Sequence, residues 1–203
     1  MFGLIRFAVA AVLYLTAALL IKKFKPKYDK YLWAGTAIAA VALCLGLSFL
    51  PAENAFITFK SPETAYKYMY LKDTDLVISG KTTDFVVGER SGTNSTILQK
   101  TKTGWKLGRR TDITLVSNTV KDDIVVNVWR YETSYDYFIS VTSMDTEHNK
   151  LTVKDTLNSE VQSITRESAS AKDGITTYYL TVNKPDLKYR LTANGTDFFI
   201  YDE

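Results

Sequence analysis

The apolar positions fall into two regimes: two long unbroken runs at the start, then short alternating segments to the end. From Phe2 to Ile21 the only charge is Arg6, and from Tyr31 to Leu50 there is none. A bilayer core of about 30 Å is crossed by about 20 helical residues, which each run supplies. A helix on a soluble core keeps a polar face, and these runs have none. The pattern predicts two transmembrane helices, 2–21 and 31–50. Lysines follow the first run where a cleaved leader would place small residues, so the alternative of a signal peptide plus one anchor is disfavoured. Arg6 lies close enough to the end for its stem to snorkel toward headgroups.

Between the runs stands KKFKPKYDK, with Lys22, Lys23, Lys25, Lys27 and Lys30, whereas the amino-terminal flank carries only Arg6. Short basic loops are retained in the cytoplasm, so the loop 22–30 is expected inside and both termini outside. Each lysine near an anionic leaflet contributes on the order of 1 kcal/mol of attraction. Tyr28, Tyr31 and Trp33 match an interfacial aromatic belt. Small residues recur every four positions at Thr36, Ala40, Cys44 and Ser48, and every seven at Gly3, Ala10 and Ala17. Such ridges let the two helices approach closely, or let the hairpin dock on another membrane protein.

Beyond Pro51 the period shortens. SPETAYKYMYL (61–71) reads as a helix start: Ser61 caps, Pro62 suits the first turn, and Glu63 favours the positive helix end. Ala65, Met69, Tyr66 and Tyr70 form its inward stripe. Nearly everything else is strand-like, including DLVISG, DFVVGER, STILQKT, DITLV, DIVVNVWRY, YDYFISVT, TTYYLTVN and LKYRLTA, with turn formers between. Asn194-Gly195 marks a tight hairpin. The expected fold is α+β, mostly antiparallel β: a two-helix transmembrane hairpin (1–50) and a sandwich-like outer domain. That domain divides near residue 117 into a helix-plus-meander module, 52–116, and an all-β module, 117–203.

Charge follows the same division. Of 25 Lys and Arg, six lie in residues 1–50, and of 22 Asp and Glu only Asp29 does. The remainder is slightly acidic, so the overall +3 comes from the loop and gives no reason to expect nucleic acid as a partner. Cys44 is the single cysteine and has no intrachain partner.

The segment FKSPETAYKY, with the following DLVISG, DFVV and STILQKTKTGWKLG, resembles a small module of membrane-anchored proteins in Gram-positive bacteria. Its marks are the Ser-Pro-Glu helix start and the Gly104-Trp105-Lys106 turn, and it spans roughly 59–107. The resemblance implies a helix with a β-meander outside a bacterial plasma membrane. It brings no catalytic or binding residues.

Candidate chemistry is sparse. His148 is the lone histidine, in a polar connection, and no nucleophile elbow accompanies it. Histidine and cysteine are too few for zinc, and KDTDL, VKDDIV and SMDTEHN lack EF-hand spacing for calcium. No phosphate loop is present, so neither a cofactor nor a metal is expected. Two surface features are candidate binding sites. If Glu132–Ser134 form a hairpin loop, Trp129, Tyr131, Tyr135 and Tyr137 share one side of a sheet and could stack on sugar rings or a partner. Cross-strand aromatic pairs also stabilise a sheet without any ligand, and that reading leads. Lys100, Lys102, Lys106, Arg109 and Arg110 surround a second hairpin turn, suited to lipid headgroups or anionic envelope polymers, against the plainer reading of a charged strand edge. The sequence thus points to an extracytoplasmic, membrane-anchored interaction protein without enzymatic activity, an accessory subunit of an envelope complex. The alternatives are a cell-wall hydrolase, which would need paired carboxylates, and a membrane-bound inhibitor or immunity protein.

Overall fold

A computed structural model describes residues 2–24, 29–49, 52–88, 95–145, 150–168 and 171–200, with backbone alone at 2–7, 29, 46–49, 52, 110 and 171–173. The first two elements are α1 (Phe2–Phe24) and α2 (Asp29–Phe49), packed against each other. Both overrun the expected loop: Lys22, Lys23 and Lys30 lie on helix ends. Lysine is a good helix former, and the first breaker is Pro26.

The contact between the helices is built mainly from small side chains. On α1, Ala10 is buried and Ala17 half-buried, with the larger Tyr14 and Ile21 half-buried on the same face. On α2 the half-buried positions are Thr36, Ala40 and Leu43. Their alternating spacing of four and three follows one helix face. The strict four-residue ridge expected through Cys44 drifts off that face, which Leu43 takes instead, and Cys44 is exposed. Thr16 and Thr36 return their hydroxyls to the carbonyls of Val12 and Leu32, at 2.8 and 2.6 Å, so neither presents an unpaired donor. At 1.5 Å per residue the 23- and 21-residue helices are about 35 and 32 Å long. Among the described residues, whose side chains cover only 8–24 and 30–45 of these helices, no helix is long and apolar enough to cross a membrane.

A 3₁₀ turn at Ala52–Ala55 leads to α3 (Pro62–Tyr70). The Ser61 hydroxyl accepts from the Thr64 N–H at 3.3 Å, and the Thr64 hydroxyl accepts from the Ser61 N–H at 3.2 Å. This reciprocal cap starts the helix where the sequence places it. Leu71, at φ 56°, ends it.

Three antiparallel sheets follow. The first is a meander of β1 (Thr74–Ser79), β2 (Thr83–Gly88), β3 (Thr96–Thr101) and β4 (Gly104–Leu107). The second contains β5 (Ile113–Lys121), β6 (Ile124–Tyr131), β7 (Asp136–Ser143), β9 (Gln162–Ser168) and β10 (Ala171–Asn183), in the order β5-β6-β7-β10-β9. The third, β12-β11-β8, comprises β8 (Val153–Asp155), β11 (Arg190–Ala193) and β12 (Thr196–Phe199). Asn194 and Gly195 both take positive φ between β11 and β12, the expected hairpin turn.

Shared cores stack these elements into layers. Tyr66 and Ala65 of α3 pack with Val86, Leu98 and Leu107 on one face of the first sheet. The other face sends Ile78, Phe85, Val87 and Ile97 against Tyr131, Phe138 and Tyr179 of the second. The far face of the second sheet joins Ile139, Val141 and Leu180 to Leu191, Ala193 and Phe198 of the third. All six residues of β2 are accordingly buried, covered on both sides. The division expected at 116/117 falls inside β5, at a register shift between Leu115 and Ser117. The first and second sheets, on either side of that position, share one apolar core.

Candidate functional site

The aromatic platform does not form. Trp129 pairs with Phe138 and Arg130 with Tyr137, one residue away from the expected register. Four residues, 132–135, connect β6 to β7 where three were expected. A single-residue slip turns every later side chain to the opposite face. Trp129 and Tyr131 therefore face the first sheet, where Trp129 stacks on Phe85 at 5.4 Å. Tyr137 lies in the core against the third sheet. Tyr135 alone is open, with the Lys184 ammonium 4.5 Å from its ring centroid. Tyr131 is also a linker: its hydroxyl donates to Asp112 at 2.8 Å and accepts from the Arg109 N–H at 3.2 Å. Burial, opposed by the Arg109 N–H and reinforced by Asp112, pushes this phenol up to about 12.

The basic hairpin is divided as well. Lys100 lies 2.9 Å from the buried carboxylate of Asp84 and donates to the Gly80 carbonyl at 2.7 Å. Trp105 Nε1 donates to the other oxygen of Asp84. Lys106 donates to the Asn54 carbonyl at 2.6 Å. Lys102 and Arg109 are exposed, and the side chain of Arg110 lies outside the described residues. Two of the five cations thus serve the domain's own structure. Of the loop lysines, Lys22, Lys23 and Lys30 are exposed, while Lys25 and Lys27 lie outside the described residues. His148 lies outside them too.

A polar centre invisible in the sequence is Asp136, fully buried at the start of β7. Its Oδ1 accepts from the Lys81 N–H at 2.9 Å and from Asn183 Nδ2 at 2.8 Å. Its Oδ2 accepts from the N–H groups of Thr82 and Thr83 at 2.6 and 2.9 Å, and from the Thr82 hydroxyl at 2.8 Å. Burial pushes this carboxyl up, but the bonds from Thr82, Lys81 and Asn183 outweigh it and hold the group well below the usual carboxylate range. The carboxylate pins the β1–β2 turn to the second sheet. With its lone pairs engaged, it is a structural anion and not an acid catalyst. Asp155 at the end of β8 is a second such carboxylate, accepting from Ser159 N–H and hydroxyl at 2.8 and 2.6 Å and from the Tyr189 hydroxyl at 3.0 Å. Burial, reinforced by this carboxylate, pushes the Tyr189 phenol far above its ordinary value.

Two open polar concavities border the third sheet. Thr152, Lys154, Thr192, Asn194 and Gly195 line a shallow concavity of about 450 Å³. Across the β11–β12 turn, a second of about 270 Å³ is lined by Asp122, Asp123, Ser143, Asp145 and Thr196 among others. Asn194 belongs to both and is fixed by bonds with Thr152, its Oδ1 accepting from the Thr152 N–H at 2.7 Å. Hydroxyls, an amide, an ammonium and carboxylates here suit a polar, hydrogen-bonding ligand. Among the described residues no three His, Cys, Asp or Glu side chains are grouped to hold a metal ion. The only advance signal was the Asn-Gly turn, which placed the hairpin but not the surface around it. Comparison with known protein families, curated proteins and solved structures finds no match for this chain.

Proposed function

We propose that this chain is a membrane-anchored, extracytoplasmic interaction protein of a bacterial envelope, without enzymatic activity. One observation carries the reading. The helices of the hairpin meet mainly through small side chains and turn most of their large apolar ones outward. Val12, Leu13, Leu15, Leu19, Ile38, Val41 and Leu45 are 53–71% exposed. Soluble monomers rarely expose an apolar patch beyond a few hundred Å², and a bilayer is the environment in which such a sheath is favourable. The exposed cations Lys22, Lys23 and Lys30 cluster at the loop end, which supports a cytoplasmic loop and an outer domain. The polar concavities on the third sheet, one of them lined by Asp122, Asp123 and Asp145, are the surface we assign to recognition of a partner protein. The occupied lone pairs of Asp136, which stands between Tyr135 and Tyr137 in the chain, weigh against wall hydrolysis.

Protease treatment of intact cells carrying an epitope tag after Glu203 tests the reading. The tag should disappear while the hairpin stays with the membrane. A tag that survives in intact cells and falls only after lysis places the domain in the cytoplasm and overturns the proposal.

A further inference from the structure

We infer that Phe56, with Arg109 just past the end of the strand it is fastened along, seats the outer domain on anionic phospholipid headgroups next to its own hairpin. This inference rests on the membrane-anchor reading above. The segment joining α2 to the domain is not a free linker. Asn54 brackets Leu107 of β4, with Nδ2 donating to its carbonyl at 2.8 Å and Oδ1 accepting from its N–H at 2.9 Å. The Glu53 carbonyl accepts from the N–H groups of Phe56 and Ile57 at 2.9 and 2.8 Å. Phe59 and Trp105 exchange both backbone bonds at 2.9 Å. The chain from 53 to 59 is thereby fastened along β4.

Between these fastenings Phe56 is 88% exposed, the highest value of any large apolar side chain among the described residues. A side chain so exposed on a segment so firmly held has been left outside by the fold. Phe56 also follows Phe49, the last residue of α2, by only seven positions. Seven extended residues reach at most about 25 Å, and the 3₁₀ turn at Ala52–Ala55 shortens that to about 18 Å. The ring therefore stays within reach of the leaflet that α2 would leave. α1 also comes into contact with α3, keeping the domain close to the hairpin. Arg109 is exposed and follows by two residues the Leu107 that Asn54 grips, so it adds an exposed cation just past that end of β4. An aromatic ring that buries in the interface and a cation that pairs with phosphate are the two elements by which a surface holds to an anionic leaflet.

The full chain, with Cys44→Ala and a nitroxide at the exposed position of Ala55→Cys, would be reconstituted in phosphatidylglycerol-containing vesicles. Collision with oxygen and with a water-soluble nickel chelate then reads the depth of the label. The label beside intact Phe56 should be several-fold better shielded from nickel than one at Leu187→Cys, an 84% exposed reference position. Phe56→Ser and Arg109→Glu should each remove most of that shielding. Equal nickel access at both labels in chains that float with the vesicles overturns this inference alone and leaves Phe56 as a contact for a protein partner. Chains that fail to float after carbonate washing overturn the anchor reading itself.

Discussion

Replacing Asp136 by Asn keeps the shape of the side chain and removes the charge. The carboxylate takes N–H donors on both oxygens, from Lys81 and Asn183 on one side and from Thr82 and Thr83 on the other. An amide has one acceptor oxygen, so either orientation turns its own NH₂ toward two N–H donors. With the NH₂ on the Oδ2 side, the Thr82, Thr83 and Ser134 hydroxyls can rotate to accept from it, but the Thr82 and Thr83 N–H groups are stranded. On the Oδ1 side the Asn183 amide can turn over to accept, and the Lys81 N–H is stranded. Each buried donor left unpaired costs about 1–3 kcal/mol and the surviving bonds lose the strength that the charge gave them, so about 3–5 kcal/mol is expected in total. Urea unfolding of the full chain in detergent micelles, followed through Trp105 and Trp129, gives the measurement. With a slope of about 2 kcal/mol per M, the midpoint should fall by about 1.5–2.5 M. The pH dependence checks the cause. The folded-state carboxyl is held below its unfolded value, so its contribution is complete above about pH 4 and is lost as pH falls toward the folded value. The gap between wild type and Asp136→Asn should therefore be full at pH 7 and narrow below about pH 4. A gap under about 0.5 M at pH 7, or one unchanged down to pH 2.5, would refute the argument.

Lys100→Met leaves the Asp84 carboxylate, 1% exposed, with Trp105 as its remaining side-chain donor, and should cost about 3 kcal/mol in the same unfolding assay. Adding Asp84→Asn to that variant should recover part of the loss, and no recovery would mean that packing of the lysine stem is what matters. Gly195→Ala places a Cβ at φ +87° where nothing lies within 4 Å. Its cost is conformational alone, about 1 kcal/mol, so a loss above about 3 kcal/mol in urea midpoints would show that the hairpin surroundings are tighter than described.

Local chemistry made several elements legible in the sequence. The Ser61–Thr64 segment carries its own cap, Pro62 sets the first helical turn, and Asn194-Gly195 closes its hairpin without outside help. The two long helices and the antiparallel, strand-rich remainder likewise follow from period and propensity, which act between near neighbours. Register was the first thing only tertiary structure decided. Whether three or four residues connect β6 to β7 is a small energetic choice locally, yet it decides which face Tyr137 takes. The stack of α3 and three sheets settled it by burying both faces of β2 and nearly all of β7. The shared core was the second: Phe85 and Phe138, from either side of the expected boundary, stack on each other. The role of Asp136 was the third. Its partners at 81–83 lie more than fifty residues away, and a carboxylate becomes a structural anion only when folding delivers donors that no local sequence pattern announces.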